Sequence, residues 1–219
     1  DYVPLTANYT DGSTSIIDTI GACSLWFMTN KLSGTQKIVH QTSDPGTGTY
    51  EILQAYINAS GDLSVRVGVL DAVDTTFNVV AGVLYHLVIT WNDDSGYDVY
   101  VNGAEYTGSG TDIVGTHFDS SSDIVIGADA GAASDFVNGM INEVSLWNKH
   151  FSLAEVQELF NDGVALDATT HSAEANLKGY WRNDGTSTWA DRQDNITANN
   201  LTVANGVDTI LLPEGTTTG

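Results

Sequence analysis

Short apolar or alternating runs, separated by turns rich in Gly, Asn, Asp and Ser, dominate the chain from its start to about residue 147. Such runs predict β-strands, and many short strands with regularly spaced turns favour a sandwich or a barrel. The predicted strands are Tyr2–Leu5, Cys23–Thr29, Lys37–Gln41, Tyr50–Ile57, Leu63–Val69, Thr76–Val80, Leu84–Trp91, Tyr97–Val101, Asp123–Ala128 and Met140–Trp147.

The clearest local unit is a β-hairpin, in which Leu84–Trp91 and Tyr97–Val101 flank a polar loop. The pair Asn102-Gly103 follows the second strand, and both residue types tolerate a positive φ. The sequence therefore predicts a second tight turn, of type I′, directly after the hairpin.

One helix interrupts the β pattern and is predicted from Ser152 to about Asn161. Ser152 is a good N-cap and Glu155 stands three residues further on, so the two predict a capping box. Phe151 and Val156 occupy the positions of a hydrophobic staple. The apolar stripe that is expected to pack on the sandwich consists of Leu153, Val156, Leu159 and Phe160.

Beyond the helix, Gly163 is the predicted stop, because glycine readily adopts the left-handed conformation of a C′ residue. Strand-like segments return at Leu177–Trp181 and Leu201–Val203, and we expect both to complete the same sandwich. The prediction is one domain over residues 1–212, followed by a flexible tail, Pro213–Gly219.

The composition agrees with a globular domain, because 219 residues that are 42% hydrophobic are ample for one core. Cys23 is the single cysteine, so no intrachain disulfide is expected, and its apolar neighbours predict an inert core thiol. No apolar run reaches the roughly 20 residues that a membrane-spanning helix needs. The chain begins at Asp1 without a Met or a signal peptide, so we expect a processed product or an excised domain.

The charge is strongly acidic, with 7 Lys and Arg residues against 28 Asp and Glu residues and a net charge of −21. Such a surface repels phosphate backbones and anionic lipids, so neither a nucleic acid nor a membrane is an expected partner. An acidic surface suits solubility, divalent cations or a salty medium.

Three stretches match sequence motifs in a fixed order: Leu84–Asp93 with Tyr100–Gly103, then Gly139–Asn148, then Phe151–Gly163. With h for an apolar residue, the motifs are W-Y-H-h-x-h-T-W-D … Y-V-N-G, G-x-I-D-E-V-x-I-Y-N and L-S-x-x-E-I-x-x-L-Y-N-x-G. Leu84 stands where the usual residue is Trp, and Asn142 where it is Asp. Together the three stretches resemble the laminin-G-like domains of the concanavalin A-like superfamily.

This resemblance implies an all-β fold, namely an antiparallel β-sandwich of jelly-roll type with one short helix. Leu177–Trp181 with Leu201–Thr202 looks like a strand pair that often opens such domains. Here it closes the chain, which resembles a circular permutation. The arrangement also resembles modules of phage virion proteins and secreted bacterial proteins, so the expected location is extracellular or on a virion surface.

No catalytic residue is predicted. Glycosidases of this superfold carry carboxylates in a string close to E-x-D-x-x-E, because alternate side chains of a strand reach one face. The nearest carboxylate, Glu143, has no second acid after it, and the motifs G-x-S-x-G and H-E-x-x-H are absent. The five histidines have no metal-ligand spacing, and His86 is expected to be a hydrogen-bonded structural residue.

Calcium, in a structural role, is the cofactor that the sequence permits. An oxygen-rich loop offers Asp191, Asp194 and Asn195 as ligands, with an ordinary Asx-turn loop as the alternative. Asn142 and Glu143 are the second candidate, because alternation places Asn142 on a core face, where it needs a partner, a bulge or an ion. The family resemblance implies a structural calcium here, although Asn142 lacks the charge of the usual Asp.

Sugar binding needs aromatic platforms beside amide or carboxylate groups. The candidates around the hairpin loop are Trp91, Asp93, Asp94, Tyr97 and Tyr100, and Trp181 and Trp189 are further candidates. For each of these aromatic residues, packing in the core or at a sheet edge is the alternative.

The leading hypothesis is a non-catalytic recognition or adhesion module that binds a glycan or a surface protein through loops at one rim. The alternative is a structural virion protein, such as a capsid-decoration or fibre subunit, whose partners are virion proteins or its own copies. A polysaccharide lyase or hydrolase is a third and less favoured hypothesis, because no catalytic motif supports it.

Overall fold

Two antiparallel sheets of six strands each form the body of the molecule, which confirms the predicted β-sandwich. A computed structural model describes residues 3–5, 20–42, 51–68, 73–92, 96–106, 124–129, 134–183, 188–193 and 201–202. The strands are β1 Val3–Leu5, β2 Ile20–Thr29, β3 Gln36–Thr42, β4 Glu51–Ile57, β5 Asp62–Val67, β6 Val73–Asn78, β7 Tyr85–Asn92, β8 Gly96–Val101, β9 Ala104–Glu105, β10 Ile124–Ile126, β11 Gly139–Trp147, β12 Leu177–Trp181, β13 Thr188–Trp189 and β14 Leu201–Thr202.

The first sheet has the strand order β1-β10-β3-β4-β5-β6, and the second has the order β12-β11-β2-β7-β8-β9. Strand β12 pairs with β11 at the edge of the second sheet, so the expectation that Leu177–Trp181 completes the sandwich is confirmed. The same expectation for the last strand is wrong. Strand β14 pairs with β13 in a separate two-stranded sheet. The predicted tail, 213–219, lies outside the described residues.

The main core lies between the two sheets and is built by alternate residues of each strand. On β4, Leu53, Ala55 and Ile57 all point inward and are fully buried. Cys23 of β2 lies in the same core, and burial raises the pKa of its thiol to about 12. The thiol therefore stays protonated and unreactive at neutral pH, as the sequence predicted.

The helix, α1, covers Leu153–Phe160 and begins with the predicted capping box. The Ser152 hydroxyl accepts from the Glu155 amide at 3.4 Å, and the Glu155 carboxylate accepts from the Ser152 amide at 2.9 Å. The predicted stop is wrong by two residues, because Asn161 takes the left-handed conformation at the C-cap, with φ 45°. The predicted stripe is also too wide, since the Leu153 side chain is 44% exposed.

A second core lies between α1 and the outer face of the second sheet. It contains the predicted staple pair, Phe151 and Val156, together with Leu159 of the helix and Trp147 and Tyr180 of the sheet. The outer face of the second sheet is therefore closed by the helix. In the part of the chain that the structure describes, no helix covers the first sheet, and none is long and apolar enough to cross a membrane.

Candidate functional site

The outer face of the first sheet carries polar side chains from three adjacent strands. On β5, Leu63, Val65 and Val67 point into the core, so Ser64 and Arg66 point outward. The same alternation turns the residues between the buried positions of β4 outward. We call this side of the sheet the polar face. Tyr56 and Arg66 are its partly exposed members. Its other members are buried, namely Lys37, His40, Gln54 and Ser64.

A β-bulge in β3 places both Lys37 and His40 on this face. Strict alternation would turn residues that are three apart to opposite sides of the sheet. The register between β3 and β4 shifts between Lys37 and Val39, so Ile38 and Val39 are both buried in the core. As a result, this side of the sheet carries two basic side chains instead of one, and both are almost fully buried.

The strand register lines these residues up in two rows. His40 pairs with Gln54, and Gln54 pairs with Arg66. In the neighbouring row, Lys37 pairs with Tyr56, which pairs in turn with Ser64. Each row crosses three strands, and two strand spacings of about 4.8 Å give it a length of roughly 10 Å.

Hydrogen bonds and ring contacts fix the geometry of the face. The Lys37 ammonium lies 5.2 Å from the centre of the Tyr56 ring, within the range of a cation–π contact. His40 Nδ1 is 3.2 Å from the Asp129 carboxylate, and His40 Nε2 is 3.4 Å from the Gln54 amide nitrogen. The carboxylate favours a proton on Nδ1, which leaves Nε2 to accept from Gln54.

This arrangement suits a polyhydroxylated ligand. The half-buried Tyr56 ring supplies an apolar surface, and the half-buried Arg66 on the neighbouring strand supplies hydrogen-bond donors beside it. Sugars present both kinds of surface, because hydroxyl groups surround their apolar ring faces.

Asn142, one of the predicted calcium ligands, lies at a bulge in β11. The register with β2 shifts between Asn142 and Ser145, and Glu143 has a positive φ of 52°. The Asn142 carbonyl oxygen accepts from the amides of Glu143, at 2.8 Å, and Asn183, at 2.6 Å. The sequence left three explanations open for a polar residue at this position: a hydrogen-bond partner, a bulge or an ion. The described geometry shows the bulge and the partner.

Glu143 is buried, and protein groups occupy both of its carboxylate oxygens. The Tyr180 hydroxyl donates to one oxygen, and Arg182 Nε lies 2.6 Å from the other. Burial raises the pKa of the Glu143 carboxyl, against the opposing effects of the Tyr180 hydrogen bond and the Arg182 charge. A guanidinium in direct contact repels a metal ion, so this pair does not fit a calcium site.

Asp191 stands at the start of the other predicted calcium loop. Its Oδ1 atom accepts from the backbone amides of Tyr180 and Gln193, each at 3.0 Å, and the second of these bonds forms an Asx turn. Asp194 and Asn195 lie outside the described residues. Within the described ranges no group of three His, Cys, Asp or Glu side chains could hold a metal, and calcium stays a prediction.

The predicted saccharide platforms need a correction, because their aromatic rings are buried. Trp91 and Tyr97 lie in the core between the sheets, and Tyr100 lies in the second core beneath α1. Trp181 and Trp189 also belong to the main core. Packing, the alternative given for each ring, therefore describes all five. Asp93 and Asp94 lie outside the described residues.

The polar face was not among the predicted sites, although the sequence contains a signal for it. In the predicted strands at 50–57 and 63–69, Gln54, Tyr56, Ser64 and Arg66 alternate with apolar residues. Period-2 alternation separates two faces of a strand, so these residues were predictable as a group on the side of the sheet opposite the apolar core. The bulge at Ile38 was not visible, because it becomes apparent only when β3 pairs with β4.

Comparisons with known proteins agree with the fold. A family model described as Laminin_G_3, of the concanavalin A-like lectin/glucanases superfamily, matches residues 2–157. No curated protein sequence matches the chain.

Several solved structures are similar. A Bacteroides ovatus protein whose proposed role is carbohydrate binding has a TM-score of 0.68 at 17% identity, and the match covers 96% of this chain and 58% of that one. Trypanosoma rangeli sialidase has a TM-score of 0.53 at 21% identity, with 66% and 22% covered. A heptameric SAP-like pentraxin from Limulus polyphemus has a TM-score of 0.50 at 14% identity, with 73% and 75% covered. At these identities the likeness concerns the fold.

Proposed function

The chain belongs to the laminin-G-like family of the concanavalin A-like superfamily, and on this premise we propose that it is a non-catalytic carbohydrate-binding module. The observation that carries the proposal is the partly exposed portion of the polar face, where the half-buried Tyr56 ring lies diagonally across from the half-buried Arg66 on the neighbouring strand. The Bacteroides ovatus protein, for which carbohydrate binding is also proposed, supports the same class.

The face suits binding better than hydrolysis. Most glycosidases place two carboxylates on either side of the bond that breaks. Asp129, the carboxylate that contacts the described polar face, is held by His40. The side chains that line the two rows are amide, phenol, imidazole, hydroxyl and basic groups, which orient a sugar without cleaving it.

The proposal also includes a structural calcium ion and a location outside the cell or on a virion. A calcium ion in the 191–195 loop would have a structural role, because Asp191 joins that loop to β12. An adhesion module of this kind would work on the outside of a cell or a virion, where glycans and surface proteins are its partners.

The test is a screen of immobilised saccharides, followed by titration calorimetry with the saccharide that binds, in calcium and again in EDTA. We expect Tyr56→Ala and Arg66→Ala, which truncate the two partly exposed members of the face, each to weaken binding at least tenfold, which is about 1.4 kcal/mol. The control is Gln157→Ala on α1, where an exposed glutamine lies on the far side of the second sheet. This variant should bind like the wild type.

Other outcomes have distinct meanings. Loss of binding in EDTA alone would make the ion part of the site. Equal losses in the Tyr56 and Gln157 variants would exclude the polar face as the site. If no saccharide binds under either condition, the proposal is wrong, and symmetric oligomers or binding to a particle lattice would favour the structural virion role.

A further inference from the structure

The Glu143 carboxylate lies where water cannot compensate its charge. Its side chain is 6% exposed, and an ionised carboxylate that is buried without a counter-charge strongly destabilises a fold. Arg182, whose side chain is 10% exposed, supplies that counter-charge, because its Nε atom lies 2.6 Å from one Glu143 oxygen. The carboxylate and the guanidinium therefore form a buried ion pair.

The same guanidinium connects three segments of the chain. Its Nη2 atom donates to the Tyr180 hydroxyl at 2.7 Å and lies 3.9 Å from the Asp167 carboxylate. Glu143 belongs to β11, Tyr180 to β12, and Asp167 to the segment between α1 and β12. A bound metal ion connects segments in the same way, because it attracts oxygen atoms from several of them at once.

Asn142 has no lone pair left for a metal ion on its side-chain oxygen. A carbonyl oxygen carries two lone pairs. Asn142 Oδ1 uses both, since it accepts from the backbone amides of Glu143, at 2.8 Å, and Asn183, at 2.6 Å. Calcium binds through oxygen lone pairs, so the predicted ligand already has its full number of partners.

We propose that the Arg182 guanidinium takes the place of a calcium ion at the β11 bulge. The positive charge that this site needs is then part of the chain, and the site does not bind calcium. The carboxylates of Glu143 and Asp167 share this one guanidinium, which would repel a second cation at close range. Calcium in the 191–195 loop is a separate proposal, and this inference is independent of carbohydrate binding.

Removing the guanidinium should turn the same place into a calcium site. Arg182→Ala leaves the Glu143 and Asp167 carboxylates without the counter-ion that they shared, and the Tyr180 hydroxyl stays beside them. Carboxylates and hydroxyl groups are hard oxygen ligands, which suit Ca²⁺. Calcium should therefore stabilise this variant more than it stabilises the wild type.

The experiment measures melting temperatures in millimolar calcium and in EDTA, at the same ionic strength. In EDTA, Arg182→Ala should melt roughly 6 °C or more below the wild type, because one partner of a buried ion pair is lost. Calcium should recover about half of that loss or more, in addition to any shift that it causes in the wild type. Adding Glu143→Gln to this variant removes the buried charge and should return the calcium shift to that of the wild type.

The control is Arg192→Ala, which removes the same charge from an exposed arginine beside β12. Its calcium shift should equal that of the wild type. A larger shift in this control would assign the effect of Arg182→Ala to net charge and would overturn the proposal. Equal calcium shifts in Arg182→Ala and the wild type would overturn it as well.

A second measurement tests the proposal even if Arg182→Ala does not fold. Titration calorimetry with calcium compares the wild type with Glu143→Gln, which keeps the guanidinium and has nearly the same shape. We expect both proteins to bind calcium with the same stoichiometry and affinity. A weaker or missing site in Glu143→Gln would show that calcium binds at the bulge beside Arg182, which is the opposite of the proposal.

Discussion

His86 shows how a buried residue in this fold remains neutral. Its Nε2 atom lies 2.8 Å from the Ser24 hydroxyl, and the rings of Trp26 and Phe160 lie 5.0 and 6.0 Å from its ring centre. Burial lowers the pKa of His86 from 6.5 to about 3. The residue is therefore the hydrogen-bonded structural histidine that the sequence predicted.

This pKa has a consequence for stability in acid. Between about pH 3 and 6.5 the unfolded state binds a proton at His86 that the folded state excludes. The free energy of unfolding therefore does not depend on His86 above pH 6.5 and decreases as the pH falls below that value. The decrease approaches about 1.4 kcal/mol per pH unit. We expect His86→Phe to reduce the pH dependence of the unfolding free energy, measured with urea from pH 7 to 4.5, by about that slope.

Ser24→Ala serves as the control for this prediction. It removes the hydrogen bond but keeps the buried ring, and burial is the cause of the lowered pKa. The slope should then match that of the wild type, even if the protein is less stable overall. A slope that falls equally in both variants would assign the effect to the hydrogen bond instead.

At the scale of secondary structure, the second tight turn joins β8 to β9 and packs against the helix. Asn102 and Gly103 have φ values of 51° and 72°, as a type I′ turn requires, so that prediction is confirmed. A Cβ atom on Gly103 would lie 2.9 Å from Cδ1 of Phe160 in α1. The turn therefore needs a glycine for two reasons, its backbone conformation and its contact with the helix.

Gly103→Ala should lower the unfolding free energy through both effects. The left-handed backbone costs an alanine about 1–2 kcal/mol, and displacing Phe160 adds about 1–3 kcal/mol. Gly34→Ala is the matched control, because Gly34 has a φ of 65° but a Cβ atom added there would meet no described atom within 4 Å. Urea titrations should show a larger loss at residue 103. Equal losses would mean that Phe160 moves aside at little cost.

Local signals predicted the elements of this fold better than they predicted its faces. Alternation and the capping box identified the strands and the helix because neighbouring residues determine both. Tyr97 and Tyr100 are three residues apart on one strand, so they point to opposite sides and cannot line one site. Trp91 pairs with Tyr97, and both face inward. Alternation separates two faces but does not tell which one meets the other sheet.

At the scale of the whole molecule, the outer faces of the two sheets differ in what covers them. The helix closes the outer face of the second sheet with a second core that includes Trp147, Phe151 and Leu159. The first sheet presents the polar face with its basic residues, while the molecule as a whole has a net charge of −21. A ligand at this face therefore approaches a protein of strongly negative net charge. The same negative charge affects the free energy of unfolding.

The net charge of −21 predicts that salt stabilises this protein. Folding brings the carboxylates together, so their mutual repulsion disfavours the compact state. Raising the ionic strength from 0.01 to 0.15 M shortens the Debye length from about 30 to about 8 Å, which screens most of this repulsion. We expect the melting temperature to rise by roughly 2–4 °C for each 1 kcal/mol of repulsion that is removed, with most of the rise below 0.3 M NaCl.

Sucrose at matched osmolality is the control, because it stabilises proteins by exclusion from their surfaces and does not screen charge. A rise that sucrose reproduces would indicate exclusion, and a melting temperature that stays flat from low to high NaCl would contradict the prediction. Measuring the melting temperature against salt at pH 4 further separates charge screening from exclusion. Protonation of the carboxylates removes much of the repulsion, so the effect of salt should shrink there even though His86 lowers the stability at that pH.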